Sequence, residues 1–84
     1  MKLIFAEEGW DDYLYWQQQD KRVLKRINEL IAAAMRDPFG GIGKPEPLKH
    51  ALAGFWSRRI TEEHRMVYRA DKDALLIAQL RYHY

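Results

Sequence analysis

The stretch "FWSRRITEEHRMVYRADKDALLIAQLRYHY", residues 55–84, decides the fold. It holds three strand-like runs, "FWSRRI" (55–60), "RMVYRA" (65–70) and "ALLIAQLRYHY" (74–84), dense in aromatic and branched apolar residues. The intervals between them, "TEEH" and "DKD", have hairpin lengths, so the runs predict an antiparallel meander. Upstream, "KLIFA" predicts a short opening strand and "EEGWDDYLYWQQQ" a helix whose acids gather in its first turns, where the helix dipole favours them. Gly9 is the weak point of that helix. In "DKRVLKRINELIAAAMRD", Val23, Leu24, Ile27, Leu30, Ile31, Ala34 and Met35 share one helical face, and Asp20 is placed to cap the N-terminus.

The second helix must end before Pro38, and "DPFGGIGKPEP" (37–47) carries three glycines and three prolines. It predicts a loop without regular structure, stiffened by its prolines. The order strand, helix, helix, three strands then gives one α+β domain over residues 1–84. Its expected architecture is an antiparallel sheet with both N-terminal helices packed on one face and the opposite face open.

Composition narrows the setting. The chain has no cysteine, which removes disulfides, zinc–thiolate sites and thiol nucleophiles and fits a reducing compartment such as the cytoplasm. No run approaches the roughly 18 apolar residues of a membrane span, and the opening "MKLIFAEEGW" is too brief in its apolar part for a signal peptide. Residues 1–20 hold one lysine against five acids, whereas residues 21–84 hold thirteen lysines and arginines against seven acids. That asymmetry points to a polyanionic partner.

Strand parity decides which side chains meet. If the "TEEH" hairpin pairs Arg59 with Arg65, then Ser57, Arg59, Arg65, Val67 and Arg69 share one face, and Trp56, Ile60, Met66 and Tyr68 the other. The last strand is expected to set Gln79, Arg81 and His83 on one side and Leu76, Ala78, Leu80, Tyr82 and Tyr84 on the opposite one. Arginine pairs on a sheet often do no more than solvate it. Two further groups raise the stakes: Glu46, held between Pro45 and Pro47 with Lys49 close behind, and His83, whose ordinary pKa of about 6.5 suits proton transfer near neutrality.

A carboxylate, an imidazole and several arginines are the parts needed to cut RNA without a metal. The ribose 2′-hydroxyl is the nucleophile; a base removes its proton, an acid protonates the leaving 5′-oxygen, and cations stabilise the phosphorane. Other chemistries lack their parts. His50, His64 and His83 have no metal-binding spacing, no acid cluster fits a two-metal nuclease, and "GGIGK" lacks the full spacing and the hydroxyl residue of a phosphate loop.

The motifs "WDDYLYWQ", "KPEPLKH", "GFWSRRITEEHR" and "RYHY", in that order, closely resemble the YoeB family of bacterial toxins, within the RelE-like superfamily of toxin–antitoxin systems. The resemblance runs from end to end of the chain. It implies a fold related to microbial ribonucleases and a ribosome-dependent endoribonuclease, an mRNA interferase that cuts messenger RNA in the ribosomal A site. It implies Glu46 as general base, His83 as general acid and Arg65 as the group that stabilises the phosphorane, with Arg59 and Lys49 holding the phosphate backbone and Tyr84 positioning the substrate. No cofactor or metal is implied. Partners implied are a YefM-like antitoxin, the ribosome with its message, operator DNA only through the antitoxin complex, and a second copy of the chain. Ile42 stands where a further basic residue is usual, which weakens the expected loop contact with RNA. Two alternatives remain open at this stage: a non-catalytic ParE-like toxin on the same scaffold, and a nucleic-acid-binding module without turnover.

Overall fold

A computed structural model describes residues 1–82. Strand β1 (Lys2–Phe5) leads into helix α1 (Glu7–Gln19) and helix α2 (Lys21–Arg36); after a long loop come β2 (Glu46–Pro47), a 3₁₀ turn (His50–Leu52), β3 (Trp56–Arg59), β4 (Arg65–Ala70) and β5 (Ala74–Gln79). The strands form one sheet in the order β1-β5-β4-β3-β2. The meander β3-β4-β5 is antiparallel as expected, and Arg59 pairs with Arg65. β1 adds to the edge of β5 in parallel, Lys2 opposite Ala74 through Phe5 opposite Ile77, so the sheet is mixed.

The helical hairpin turns on a single extended residue. Asp20 closes α1 and caps α2, its Oδ1 accepting from the main-chain N–H groups of Arg22 at 2.9 Å and Val23 at 3.3 Å. α2 then drives Ile27, Leu30, Ile31 and Ala34 into the core and leaves Lys21, Arg22, Lys25 and Arg36 outside. α1 meets them with Trp16, and Met66, Tyr68, Leu75, Ile77 and Leu80 complete the layer from the sheet. Each such fully buried side chain contributes about 1.5–3 kcal/mol. Gly9 has a packing reason: a Cβ there would overlap the carbonyl oxygen of Ile77, so the missing side chain lets α1 lie directly on β5.

Two features of the sheet depart from simple alternation. Val67 pairs with Gln79 but Tyr68 pairs with Ile77, so Ala78 is an extra, bulged residue on β5. The bulge resets the parity. Leu75, Ile77 and Leu80 all reach the core, and Leu76 lies opposite Arg69 on the open face, not with Leu80 as strict alternation requires. The strand also stops at Gln79 instead of running to the end of the chain. Tyr82, expected on the packed side, is 56% exposed with φ +61°.

The loop between α2 and β3 is more ordered than its breakers predict. Arg58, next to the exposed Arg59, is completely buried. Its guanidinium donates to the carbonyl oxygens of Asp37 (2.7 Å), Gly40 (2.7 Å) and Ile42 (2.8 Å) and to the Tyr68 hydroxyl (3.0 Å). That hydroxyl donates in turn to the Pro38 carbonyl at 2.6 Å, and the Arg59 N–H to the Gly43 carbonyl at 2.7 Å. Five carbonyls of a loop that makes almost no ladder are thus satisfied by the sheet beneath it. Burial pushes the Tyr68 phenol up from its ordinary value, with the Arg58 hydrogen bond and charge opposing. Gly43 (φ +88°) passes against Leu30 and the Arg58 side chain, where a Cβ has no room. The chain emerges in register to form β2, a two-residue strand where no regular structure was expected. A proline with no N–H to donate is tolerated there because β2 is an edge.

Candidate active site

The register brings one row of residues across four strands. Glu46 lies opposite Ser57, Ser57 opposite Val67, and Val67 opposite Gln79, and cross-strand partners share a face. Arg59 and Arg65 form the next pair on that face, two residues further along. The face is not a uniform basic surface. Ser57 (4% exposed) and Val67 (2%) form a buried floor, with Glu46 and Arg59 exposed at its rim. Arg69 stands on the same face with its guanidinium 5.7 Å from the centre of the Phe55 ring.

Strands lie about 4.8 Å apart and rise about 3.4 Å per residue, so the Cα atoms of Glu46 and Arg65 are about 12 Å apart across the floor. That backbone span is wide enough for one phosphodiester, while the Arg65 guanidinium itself is turned to its own hairpin. In the conformation described, one terminal nitrogen of Arg65 donates to the carbonyls of Thr61 (2.6 Å), Glu62 (2.9 Å) and His64 (3.1 Å). The guanidinium is therefore braced by its own hairpin turn, which fixes a side chain that would otherwise lose rotamer freedom on binding. Lys49 is exposed beyond the β2 pairing and lines an open pocket of about 310 Å³ with Pro47, Leu48, His50 and Leu52. Ile42 is exposed, 45% accessible, and its carbonyl is one of those that Arg58 holds. His83 and Tyr84 lie outside the described residues. Among the described residues, no three histidine or acidic side chains converge as a metal site requires.

Parity missed the residues that hold the last described segment. Asp12 is buried and its Oδ2 accepts from the Leu80 N–H at 2.9 Å, while the Trp16 indole donates to the Leu80 carbonyl at 2.9 Å. These two, four residues apart on α1, grip the main chain of one residue from both sides. The Arg81 guanidinium lies 3.6 Å from the centre of the Tyr15 ring, a close cation–π contact. The signal was in "WDDYLYWQ": an aspartate and a tryptophan at i and i+4 beside an apolar stripe demand partners once buried. Arg58 had a similar signal, since alternation puts it on the packed face with Trp56 and Ile60.

Comparison with known proteins agrees with this layout. Residues 5–84 match the family model described as YoeB-like toxin of bacterial type II toxin–antitoxin system. Toxin YoeB of Escherichia coli K12 is 70% identical, with all of both chains aligned. The YoeB/ParE toxin from Agrobacterium tumefaciens superposes over the full length of both chains, with a TM-score of 0.95 and 53% identity. Staphylococcus aureus YoeB, 46% identical and covering 100% of this chain and 98% of its own, has been solved as a dimer (TM-score 0.93) and in a heterotetrameric YoeB–YefM complex (TM-score 0.91). Two helices on a five-stranded sheet with a charged open face define the class: a small RelE-like toxin of a type II toxin–antitoxin system. Within that class, the chain belongs to the YoeB family.

Proposed function

We propose that this toxin is a ribosome-dependent endoribonuclease that cuts messenger RNA in the A site and so stops translation. The observation that carries the reading is the position of Glu46. Its backbone is pinned between two prolines and paired with Ser57, on the same face as Arg59 and Arg65. A carboxylate serving only solubility gains nothing from being held still.

In the proposed reaction, Glu46 removes the proton of the ribose 2′-hydroxyl, and the oxygen attacks the adjacent phosphorus. Arg65 stabilises the charge of the phosphorane, while Arg59 and Lys49 hold the flanking phosphates; an arginine fork can engage two phosphate oxygens at once. His83, supported here by the sequence alone, gives its proton to the 5′-oxygen as the P–O bond breaks, and Tyr84 helps to position the substrate. The products are a 2′,3′-cyclic phosphate, which can open to a 3′-phosphate, and a 5′-hydroxyl. No metal or cofactor takes part in this scheme.

Few cations surround the floor, so free RNA is held weakly. A ribosome that fixes the strand in an attack-ready geometry contributes the orientation, an effect that can reach several kcal/mol. The YoeB–YefM complexes and the YoeB dimer of the Staphylococcus relative support a YefM-like antitoxin and a second copy as partners of this chain. Operator DNA, in this reading, is reached only through the antitoxin complex. A cytoplasmic location follows from a ribosomal substrate. Glu46→Gln tests the reading: the variant should fold as the parent does yet neither arrest growth nor produce codon-linked breaks in message. Full toxicity from that variant would overturn it.

A further inference from the structure

We propose that His64 is a positioning residue for the proposed reaction: by accepting a hydrogen bond from the main chain at Tyr82, it fixes the backbone of the residue from which the chain continues to His83. The inference rests on the acid role proposed above for His83. Its footing lies in residues 64, 65 and 82. His64 Nδ1 accepts from the Tyr82 N–H at 2.8 Å, and the N–H of the neighbouring Arg65 donates to the Tyr82 carbonyl at 3.1 Å. The β3-β4 turn thus binds both polar groups of one backbone residue.

Tyr82 needs such a clamp. Its φ of +61° is a left-handed conformation that costs a bulky residue free energy, and β5 has already ended three residues earlier. Nothing in a strand ladder holds it there. The hydrogen bonds from His64 and Arg65 do, and the Tyr82 ring lies 5.5 Å from the imidazole. The imidazole is itself fixed: its ring meets the Trp16 indole edge to face at 4.9 Å, and its side chain is only 13% exposed.

The geometry dictates the tautomer. A nitrogen that accepts from an amide carries no proton, so His64 is neutral with its hydrogen on Nε2, which faces the Glu63 carboxylate at 3.7 Å. Such a histidine cannot also be a proton donor through Nδ1. Its contribution is steric and directional: it fixes the backbone of Tyr82, the residue that precedes His83 in the sequence. The same turn braces the Arg65 guanidinium, so one hairpin serves two of the proposed catalytic groups.

The test compares His64→Phe, which keeps a ring against Trp16 but offers no acceptor, with His64→Asn, whose amide oxygen can occupy the Nδ1 position. Two readouts are taken on the full chain: hydrogen exchange of the Tyr82 amide by NMR, and cleavage on programmed ribosomes. In the Phe variant the Tyr82 amide should lose protection and kcat fall by up to about 100-fold with KM unchanged, the scale of a reacting group misplaced by an ångström. The Asn variant should recover most of both. If the Phe variant does not fold, His64→Gln replaces it, since its amide reaches toward Nε2 and leaves Nδ1 unfilled. A freed amide with undiminished kcat, or an amide still protected without the acceptor, overturns the positioning role. If the parent protein cleaves nothing while the amide responds as described, the failure belongs to the proposed activity and to the positioning role that depends on it, and the clamp alone stands.

Discussion

Replacing Arg58 by methionine should unseat the loop that delivers Glu46, and the expected cost can be worked from the hydrogen bonds lost. The guanidinium makes four, to the carbonyls of Asp37, Gly40 and Ile42 and to the Tyr68 hydroxyl. Hydrogen bonds from a charged donor contribute about 1.5–3 kcal/mol each before the cost of burying the charge is counted. That cost amounts to several kcal/mol, and it is relieved when methionine fills the site. Three carbonyls then lose their partner at about 1–3 kcal/mol each, the relief of charge burial offsets part of that, and the balance is a loss of about 3–5 kcal/mol. A domain of this length has a total stability of about 4–13 kcal/mol, so the change is severe. Urea unfolding with matched m-values measures it, and the melting temperature should drop by at least about 12 °C. Arg58→Lys should recover little, because one ammonium cannot span four acceptors in a fork. A loss below about 1 kcal/mol for the methionine variant would refute the view that Arg58 holds the loop.

Other consequences follow from single contacts. Gly9→Ala should destabilise by about 1–3 kcal/mol in thermal unfolding, although alanine is the better helix former, because the new methyl group must push α1 off the Ile77 carbonyl. Asp12→Ala should cost about 1–3 kcal/mol by leaving the Leu80 N–H buried and unpaired, and Asp12→Asn, which keeps an acceptor, should cost much less in the same urea assay. The Tyr68 phenol is held neutral by burial, with its folded pKa raised above 10.0. Its contribution is therefore whole below about pH 10 and declines as pH rises from there toward the folded value, and Tyr68→Phe should flatten that alkaline decline in stability-against-pH curves.

The fold was largely legible because its signals were local. An apolar stripe, an aspartate cap and two hairpin-length intervals were enough for α2 and the β3-β4-β5 meander, and the four-residue "TEEH" interval led to the Arg59–Arg65 register. What stayed hidden depended on partners distant in sequence. No local pattern announces that β1 will pair in parallel with β5, or that Ala78 will bulge and move Leu76 to the open face. β2 is invisible in "KPEP" because its strand character comes from Arg58 holding the preceding loop to the sheet. The adjacent arginines 58 and 59 look alike in sequence, and only the pleat separates a buried structural cation from an exposed one.

The candidate site follows the same division. Arg59 and Arg65 could be placed on one face from parity and the hairpin, but Glu46 joins their face through the unforeseen pairing of β2 with Ser57, and the buried Ser57–Val67 floor depends on packing. Lys49 was legible as a neighbour of Glu46 in sequence, and the pocket it lines with Pro47, His50 and Leu52 forms only in the fold. His64 gave no sign of its contact with Tyr82, because a histidine in a turn reads as solvated until residue 82 is laid against it.

The central claim concerns catalysis by Glu46 on the ribosome, and primer extension on a defined message tests it most directly. The message is incubated with purified toxin, with and without programmed ribosomes, and with Glu46→Gln in parallel. The account predicts new 5′ ends at A-site codons only when ribosomes and the parent toxin are both present. Equal cleavage of naked message, or undiminished cleavage by Glu46→Gln, would contradict it.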